Sequence, residues 1–336
     1  MKLRTILIVT LSLLMIGFPV FAGGGGQRAA EQMEIRCGAG SVGGIFFVQA
    51  AAVSTIVNKY VPEVNFSPVT TAAGTESYNR LARGGLETYV ANSDLAWVGY
   101  NGGDPDRPNV TPSRSVRTWF ITEASPFMLV ARADNPNMTR FEDIWRPGLR
   151  VGTAPIGSGA HNMLTRMSEF LGNDFAQLNI HTAGHEQSMN ALRDRNVDMV
   201  FNGSGTLSVP NSAYQDLANS VRMVIIDMPE NLRDLVVREP FWGKFTLEPG
   251  WLTGHDRPTN VVAIRNGFFV HEDVPEEIVY TMTAAVFDNL DELKEIAYMA
   301  FRTMGPRTAA LDAVVPFHPG ALRYFREKGF DVSLLQ

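Results

Sequence analysis

Three times in this chain a short strand-like run gives way to a turn of glycine, serine and threonine and then to residues with helical spacing. Residues 33–37 run into the glycines at 38–44 and a helix over 46–60. Residues 64–69 run into Thr70-Thr71-Ala72-Ala73-Gly74 and a helix from Thr75 towards Arg83. Residues 149–153 run into Pro155-Ile156-Gly157-Ser158-Gly159 and a helix over 160–171. The helical stretches place apolar side chains at i, i+4, as in Val48, Ala52 and Ile56 or Met163, Met167 and Leu171. Repeated strand–turn–helix units predict an α/β fold.

The first series reads as closing on a strand at 94–98 that ends at Gly99-Tyr100-Asn101. The second adds a helix over 185–195 and a strand at 197–201 that ends at Asn202-Gly203. Two long extended stretches, 116–131 and 259–270, suit crossings from one series to the other and back, the second broken by Asn266-Gly267. With 336 residues the chain exceeds what one core usually serves. The expectation is a hinged clamshell: one lobe from residues 33–124 and 264–336, the other from 125–263. The C-terminal part reads as helical, near 275–289, 291–302 and 319–328. Asp273 is expected to cap the first of these, with Pro275 in its first turn and Glu276 completing a capping box.

At the N-terminus, Lys2 and Arg4 precede an apolar run over 6–16, helix-breaking Gly17 and Pro19, and a small residue at Ala22. This is the pattern of a secretory signal peptide over 1–22, with a glycine-rich lead-in over 23–32, and it predicts a periplasmic protein. The single cysteine, Cys37, says nothing against export; it excludes an internal disulfide and a cysteine-rich zinc site. A net charge of -6 argues against nucleic acid as a partner, since binding it requires a basic surface.

The turns are the candidate binding site. A helix N-terminus carries unpaired N–H groups and a partial positive charge. Glycine lets the backbone approach a ligand, and a hydroxyl adds a further contact. Such a mouth suits a carboxylate or phosphate. The candidates are Ser41, Gly43 and Gly44; Gly74 and Thr75; Gly157, Ser158 and Gly159. Phe46 and Phe47 follow the first turn and point about 100° apart on a helix, so one can face a cleft while the other packs. Tyr100, Asn202 and Gly203 stand at the expected strand ends.

Catalytic patterns are weak. Around Ser41, Ser158 and Ser204 the first glycine of G-x-S-x-G is replaced by Ala39, Ile156 and Asn202. No lysine follows a glycine turn in the P-loop manner. His181 and His185 have metal-ligand spacing, but Gly184 between them speaks against a ligand-bearing helix. Asp104 and Asp106 flank Pro105 in a Gly/Pro loop, where a solvated turn is the simpler reading than calcium. The expectation is no enzyme, no cofactor and no metal.

Four segments together resemble the TAXI family of solute receptors that serve TRAP-type transporters. They are Gly40-Ser41-Val42-Gly43-Gly44-Ile45-Phe46-Phe47, residues 149–159 with their G-S-G turn, Asn196-Val197-Asp198-Met199-Val200-Phe201, and the Val315-Pro316-Phe317-His318-Pro319-Gly320-Ala321 tail. The resemblance implies a type II periplasmic-binding-protein fold. It also implies a small organic acid or amino acid held between two lobes, delivery to membrane permease subunits, and no catalysis; we expect a monomer. Ile45, Phe46 and Phe47 stand where the family has Thr-Tyr-Tyr, so hydroxyl groups are lost and a ligand with an apolar part is favoured. Two other classes compete with a receptor: a secreted α/β hydrolase using Ser41, and a surface interaction protein with no small ligand.

Overall fold

The computed structural model describes residues 32–330, apart from 106, 204, 311 and 312. The expected signal peptide and nearly all of the lead-in lie outside the described residues, as do Asp106 and Ser204.

The chain runs β1 (Met33–Gly38), α1 (Ile45–Tyr60), β2 (Val64–Val69), α2 (Gly74–Ala82), β3 (Thr88–Asn92) and α3 (Asp94–Tyr100), then the long β4 (Val116–Arg132). It continues with β5 (Arg150–Thr153), α4 (Gly159–Phe170), β6 (Asn179–Thr182), α5 (His185–Arg193) and β7 (Met199–Gly203). After these come α6 (Ser212–Ser220), β8 (Met223–Ile226), α7 (Glu230–Val236), β9 (Trp242–Leu247) and the long β10 (Thr259–His271). The C-terminal helices are α8 (Glu276–Asp288), α9 (Leu290–Ile296), α10 (Tyr298–Phe301), α11 (Pro306–Ala309) and α12 (Pro319–Glu327).

One sheet runs through the molecule in the order β2-β1-β3-β10-β4-β7-β5-β6, with β8 also on β4 and β9 also on β10. β1 is parallel to β2 and β3, and β5 is parallel to β6 and β7. The two long strands are antiparallel to each other and change partners along their length. β10 pairs with β9 from Thr259 to Ile264 and with β3 from Asn266 to Val270. β4 pairs with β7 and β8 only from Phe127 onward. At the changeover Ile264 faces Ser125 while Asn266 faces Thr122, so the register slips by one residue at Arg265. A bulge of this kind bends a strand and redirects its remaining residues.

Each half of the sheet is covered on both faces, which makes two lobes. In β3, Val90 enters a core with Ile35, Val53, Phe268 and Phe325, while Tyr89 and Ala91 enter another with Tyr78, Leu95 and Phe269. In β4, Leu129 and Ala131 meet Leu164 and Phe201, while Met128 and Val130 meet Leu192 and Tyr214. Side chains alternate between faces along a strand, so a strand buried on both sides is apolar at every position. That is why the middle of β3, Tyr89 to Ala91, and the second half of β4 are apolar.

Three expectations from the sequence need correction. Residues 94–98 form no strand: the strand is β3, and Asp94 opens α3. Leu95, Ala96, Val98 and Gly99 are all buried, so this short helix shows no amphipathic period. The expected helix at 291–302 is broken at Ala297, whose φ of -141° is not helical. In α8 the residue before the helix is Pro275, with no side-chain cap; Asp273 instead directs its backbone N–H to His271 Nδ1.

The tail motif has a structural task. His318 caps α12, its Nδ1 accepting from Gly320 N at 3.3 Å. Gly320 lies so close to α8 that a Cβ would stand 2.2 Å from the Glu276 carbonyl oxygen. Cys37 is buried in β1, where burial pushes its thiol up to about 12. Among the described residues no helix is long and apolar enough to cross a membrane.

Candidate functional site

A cavity of about 1000 Å³ opens between the lobes. Among the helix starts that reach it are those of α1 and α2 from the first lobe, and of α4, α5 and α6 from the second. Ser158 caps α4 by accepting from His161 N, and Asn211 caps α6 by accepting from Ala213 N. The residues preceding α1, α2 and α5 are Gly44, Ala73 and Gly184, and none provides a side-chain cap. The first N–H groups of these three helices therefore remain without a side-chain acceptor from the cap position. Gly43, with φ of +82°, holds the α1 turn in a conformation that only glycine adopts without strain.

The structure brings nine of the expected site residues to this cavity: Ser41, Gly43, Gly44, Phe46, Gly74, Ser158, Gly159, Asn202 and Gly203. Four lie elsewhere. Thr75 and Gly157 meet each other across the lobes, Thr75 Oγ1 donating to the Gly157 carbonyl at 2.7 Å. Phe47 packs on the core of the first lobe, so of the aromatic pair only Phe46 reaches the cavity. Tyr100 ends α3 rather than a strand, and its ring lies under the guanidinium groups of Arg114 and Arg117, at 4.6 and 5.8 Å. Tyr78 and Asn79 also serve structure, bonding to the backbone of Thr111 and Asn109.

Several residues at the cavity escape a reading of the sequence. Asn92 ends β3 and Ser125 sits at the strand changeover; both line the cavity and belong to one buried network. Asn92 Nδ2 donates to Asn266 Oδ1 at 2.7 Å, and Asn266 Nδ2 donates to Ser125 Oγ at 2.7 Å and the Glu123 carbonyl at 2.9 Å. Ser125 Oγ in turn donates to the Gly205 carbonyl at 2.8 Å. Asn266, which reads in the sequence as a strand break, is thus the centre of a satisfied polar junction. His185, weighed in the sequence only as a metal ligand with His181, also lines the cavity. It follows Gly184 at the start of α5, a small-residue turn after a strand like the other three, but β6 is too short and exposed to stand out.

The cavity wall combines backbone N–H groups with an apolar patch of Ile45, Phe46 and Phe127. Its charged residues are Glu186, Arg193 and Asp216, and Arg193 is already paired with Asp194 at 2.9 Å. Burial pushes the imidazole of His185 down to about 4, so it is neutral at physiological pH.

The lobes also meet away from the cavity lining. Arg107, buried in the loop after α3, pairs with Asp94 at 3.1 Å in its own lobe and with Glu239 at 3.5 Å in the other. Arg166 of α4 reaches the same Glu239 at 3.4 Å. Trp97 packs on Phe241 with ring centroids 5.8 Å apart.

Residues 37–329 match the NMT1-like family. Three solved structures share the fold. A periplasmic transporter is 12% identical, with 90% of this chain and 95% of that one covered, at a TM-score of 0.52. The periplasmic binding protein BugD is 15% identical, with the same coverage of 90% and 95%, at 0.51. A Xanthomonas citri protein solved with ATP bound is 10% identical, covering 88% and 95%, at 0.52. At these identities the likeness is one of fold: two lobes, as in periplasmic binding proteins.

Proposed function

The chain belongs to the NMT1-like family, and on that footing we propose that it is an extracytoplasmic solute receptor that closes its lobes over a small organic acid. The observation that carries this reading is the cavity reached by helix starts from both lobes, three of them without a side-chain cap. One helix end contributes only about 0.3–1 kcal/mol to holding an anion at an exposed site. Several ends acting together in a space shielded from water contribute more, because the local dielectric is lower.

The mechanism is a population shift. A ligand that touches both lobes binds the closed form better than the open one and so draws the protein towards closure. Phe46 and Ile45 offer a surface to an apolar part of the ligand, while the N–H groups take its carboxylate. The closed receptor would then be read by membrane permease subunits. Within this proposal we place the narrower TAXI assignment, a TRAP-type permease as partner, secretion to the periplasm and a non-catalytic role. A hydrolase built on Ser41 finds no support at the cavity's histidine, because His185 is on the opposite lobe and its Nδ1 meets Asn202 at 3.3 Å.

The test is calorimetry and thermal melting of refolded protein, stripped of carried-over ligand, against a panel of organic acids and amino acids. Saturation at a hundredfold excess over Kd stabilises by about 2.7 kcal/mol, a shift of several degrees. Such a shift with an arylacetate or branched-chain acid supports the reading. A flat response across the acids overturns it. Tight binding of glutamate with no gain for apolar acids removes the apolar part of the ligand assignment.

A further inference from the structure

Asn202 lies at the end of β7, almost fully buried in the cavity wall. Its amide has a fixed orientation. Oδ1 accepts from Gly203 N at 2.9 Å, so the oxygen is on that side and the NH2 group faces away from it. The NH2 group meets His185 Nδ1 at 3.3 Å. An amide nitrogen can only donate, so Nδ1 must accept. A neutral imidazole that accepts at Nδ1 carries its proton on Nε2. His185 is half-buried at the cavity, and with Nδ1 occupied its remaining polar atom is Nε2.

We infer that His185 is a specificity-determining residue whose Nε2–H, set by Asn202, donates a neutral hydrogen bond to an acceptor oxygen of the bound solute. The inference rests on the receptor reading for its ligand and on the Asn202 geometry for its tautomer. Both residues belong to the second lobe, so the arrangement does not depend on whether the lobes are open or closed. Asn202 is the hydrogen-bond partner of the ring, and the buried Tyr214 hydroxyl bonds neither to the ring nor to any other described group. Tyr214 packs beside it with ring centroids 6.5 Å apart, and the charged side chains of the cavity wall are Glu186, Asp216 and the paired Arg193. The consequence is chemical selection. The site offers a donor without a charge, so it favours a carboxylate or carbonyl oxygen and rejects an ammonium or amide NH2 group at that position, where two donors would face each other.

Two measurements test this on the whole chain. The first needs no ligand: long-range 1H–15N correlation of the histidine rings at pH 7, with the His185 signals identified by their loss in His185→Gln. The expected pattern is a single Nε2–H tautomer, switched or mixed in Asn202→Asp, whose carboxylate accepts from both neighbours. An Nδ1–H pattern or a tautomer mixture in the wild type overturns the inference, whatever the protein binds. The second is calorimetry with phenylacetate and L-glutamate as probes. His185→Phe should weaken the acid that binds wild type by about tenfold or more, the loss from leaving a ligand oxygen unpaired. His185→Gln, which can place an NH2 near the Nε2 position, should recover most of that loss. Unchanged affinity in a folded His185→Phe overturns the ligand contact, and so does failure of His185→Gln to recover it. If neither these acids nor the wider panel binds wild type, the receptor reading fails and the ligand contact with it, while the tautomer is decided by the first measurement alone.

Discussion

The lobes touch in two places of opposite chemistry. Beside the cavity the contacts are neutral: Thr75 Oγ1 on the Gly157 carbonyl, and Gly159 against Asn92. Away from it the contact is ionic and buried, with Arg107 between Asp94 and Glu239 and with Arg166 on the same glutamate. A neutral hydrogen bond exchanges for one with water at a net difference of about 0.5–1.5 kcal/mol, so it can break and re-form. Removing one partner of a buried ion pair leaves the other charged in a poor dielectric. The two contacts should therefore answer substitution differently.

The largest effect should come from breaking the ionic contact. Arg107→Met leaves Asp94 and Glu239 buried without their shared cation and should cost about 3–5 kcal/mol of stability, read by calorimetric melting. Glu239→Gln should cost far less. Burial already pushes the Glu239 carboxyl up, against the pull of Arg107 and Arg166, so its ionised form is held at some expense. Equal losses in the two variants would remove the distinction between the contacts.

The cavity side should respond in affinity rather than in stability. A Cβ at Gly159 would stand 2.3 Å from Asn92 Oδ1, and Asn92 is held in place by Asn266. Gly159→Ala should therefore block closure and weaken ligand binding by about tenfold or more, with little change in the melting temperature of the empty protein. Adding Asn92→Ala should return part of the affinity, as expected of residues in direct contact. Thr75→Val removes one neutral bond and should weaken binding by about 0.5–1.5 kcal/mol, with no effect on the ionic contact. A large loss of melting temperature in Thr75→Val would show that both contacts hold the empty protein together.

The most gradual effect is on pH dependence. In the unfolded chain the His185 imidazole takes a proton near its ordinary 6.5; in the fold it does so only near about 4. Between these values the unfolded state binds more protons, so this group makes stability fall as pH falls through that window. His185→Gln should show a shallower loss than wild type from pH 6.5 to 4 in denaturant titrations. Superimposable curves would mean that the ring titrates as it does in the unfolded chain.

Much of the local structure is legible in the sequence. The glycine turns at 40–44 and 157–159 and the helices behind them follow from residue conformations and i, i+4 spacing, which act within a few residues. The long strand β4 is legible as an extended run; β10 is legible too, but with an apparent break at Asn266-Gly267 that the fold does not have. The same reasoning fails at α3, where Leu95, Ala96 and Val98 are buried together and an apolar run carries no period to separate helix from strand. Reading α3 as a strand is also what puts Tyr100 at the cavity, where the structure does not have it. The sequence offers His185 only as half of a metal-ligand spacing with His181; its contact with Asn202, 17 residues further on, lies outside its immediate neighbours.

Local sequence thus settles most of the building units: the main strand runs, the turns, and helix starts rich in glycine and hydroxyl groups. These follow from backbone sterics and side-chain periodicity, and both act over short range. Three things emerge only once the chain is packed: which helix starts share a cavity, that Thr75 and Gly157 bond each other instead, and that Asn92 finds Asn266 at a separation of 174 residues. Such pairings depend on the order of strands in the sheet, and strand order is set by the packing of whole faces, which no short segment records.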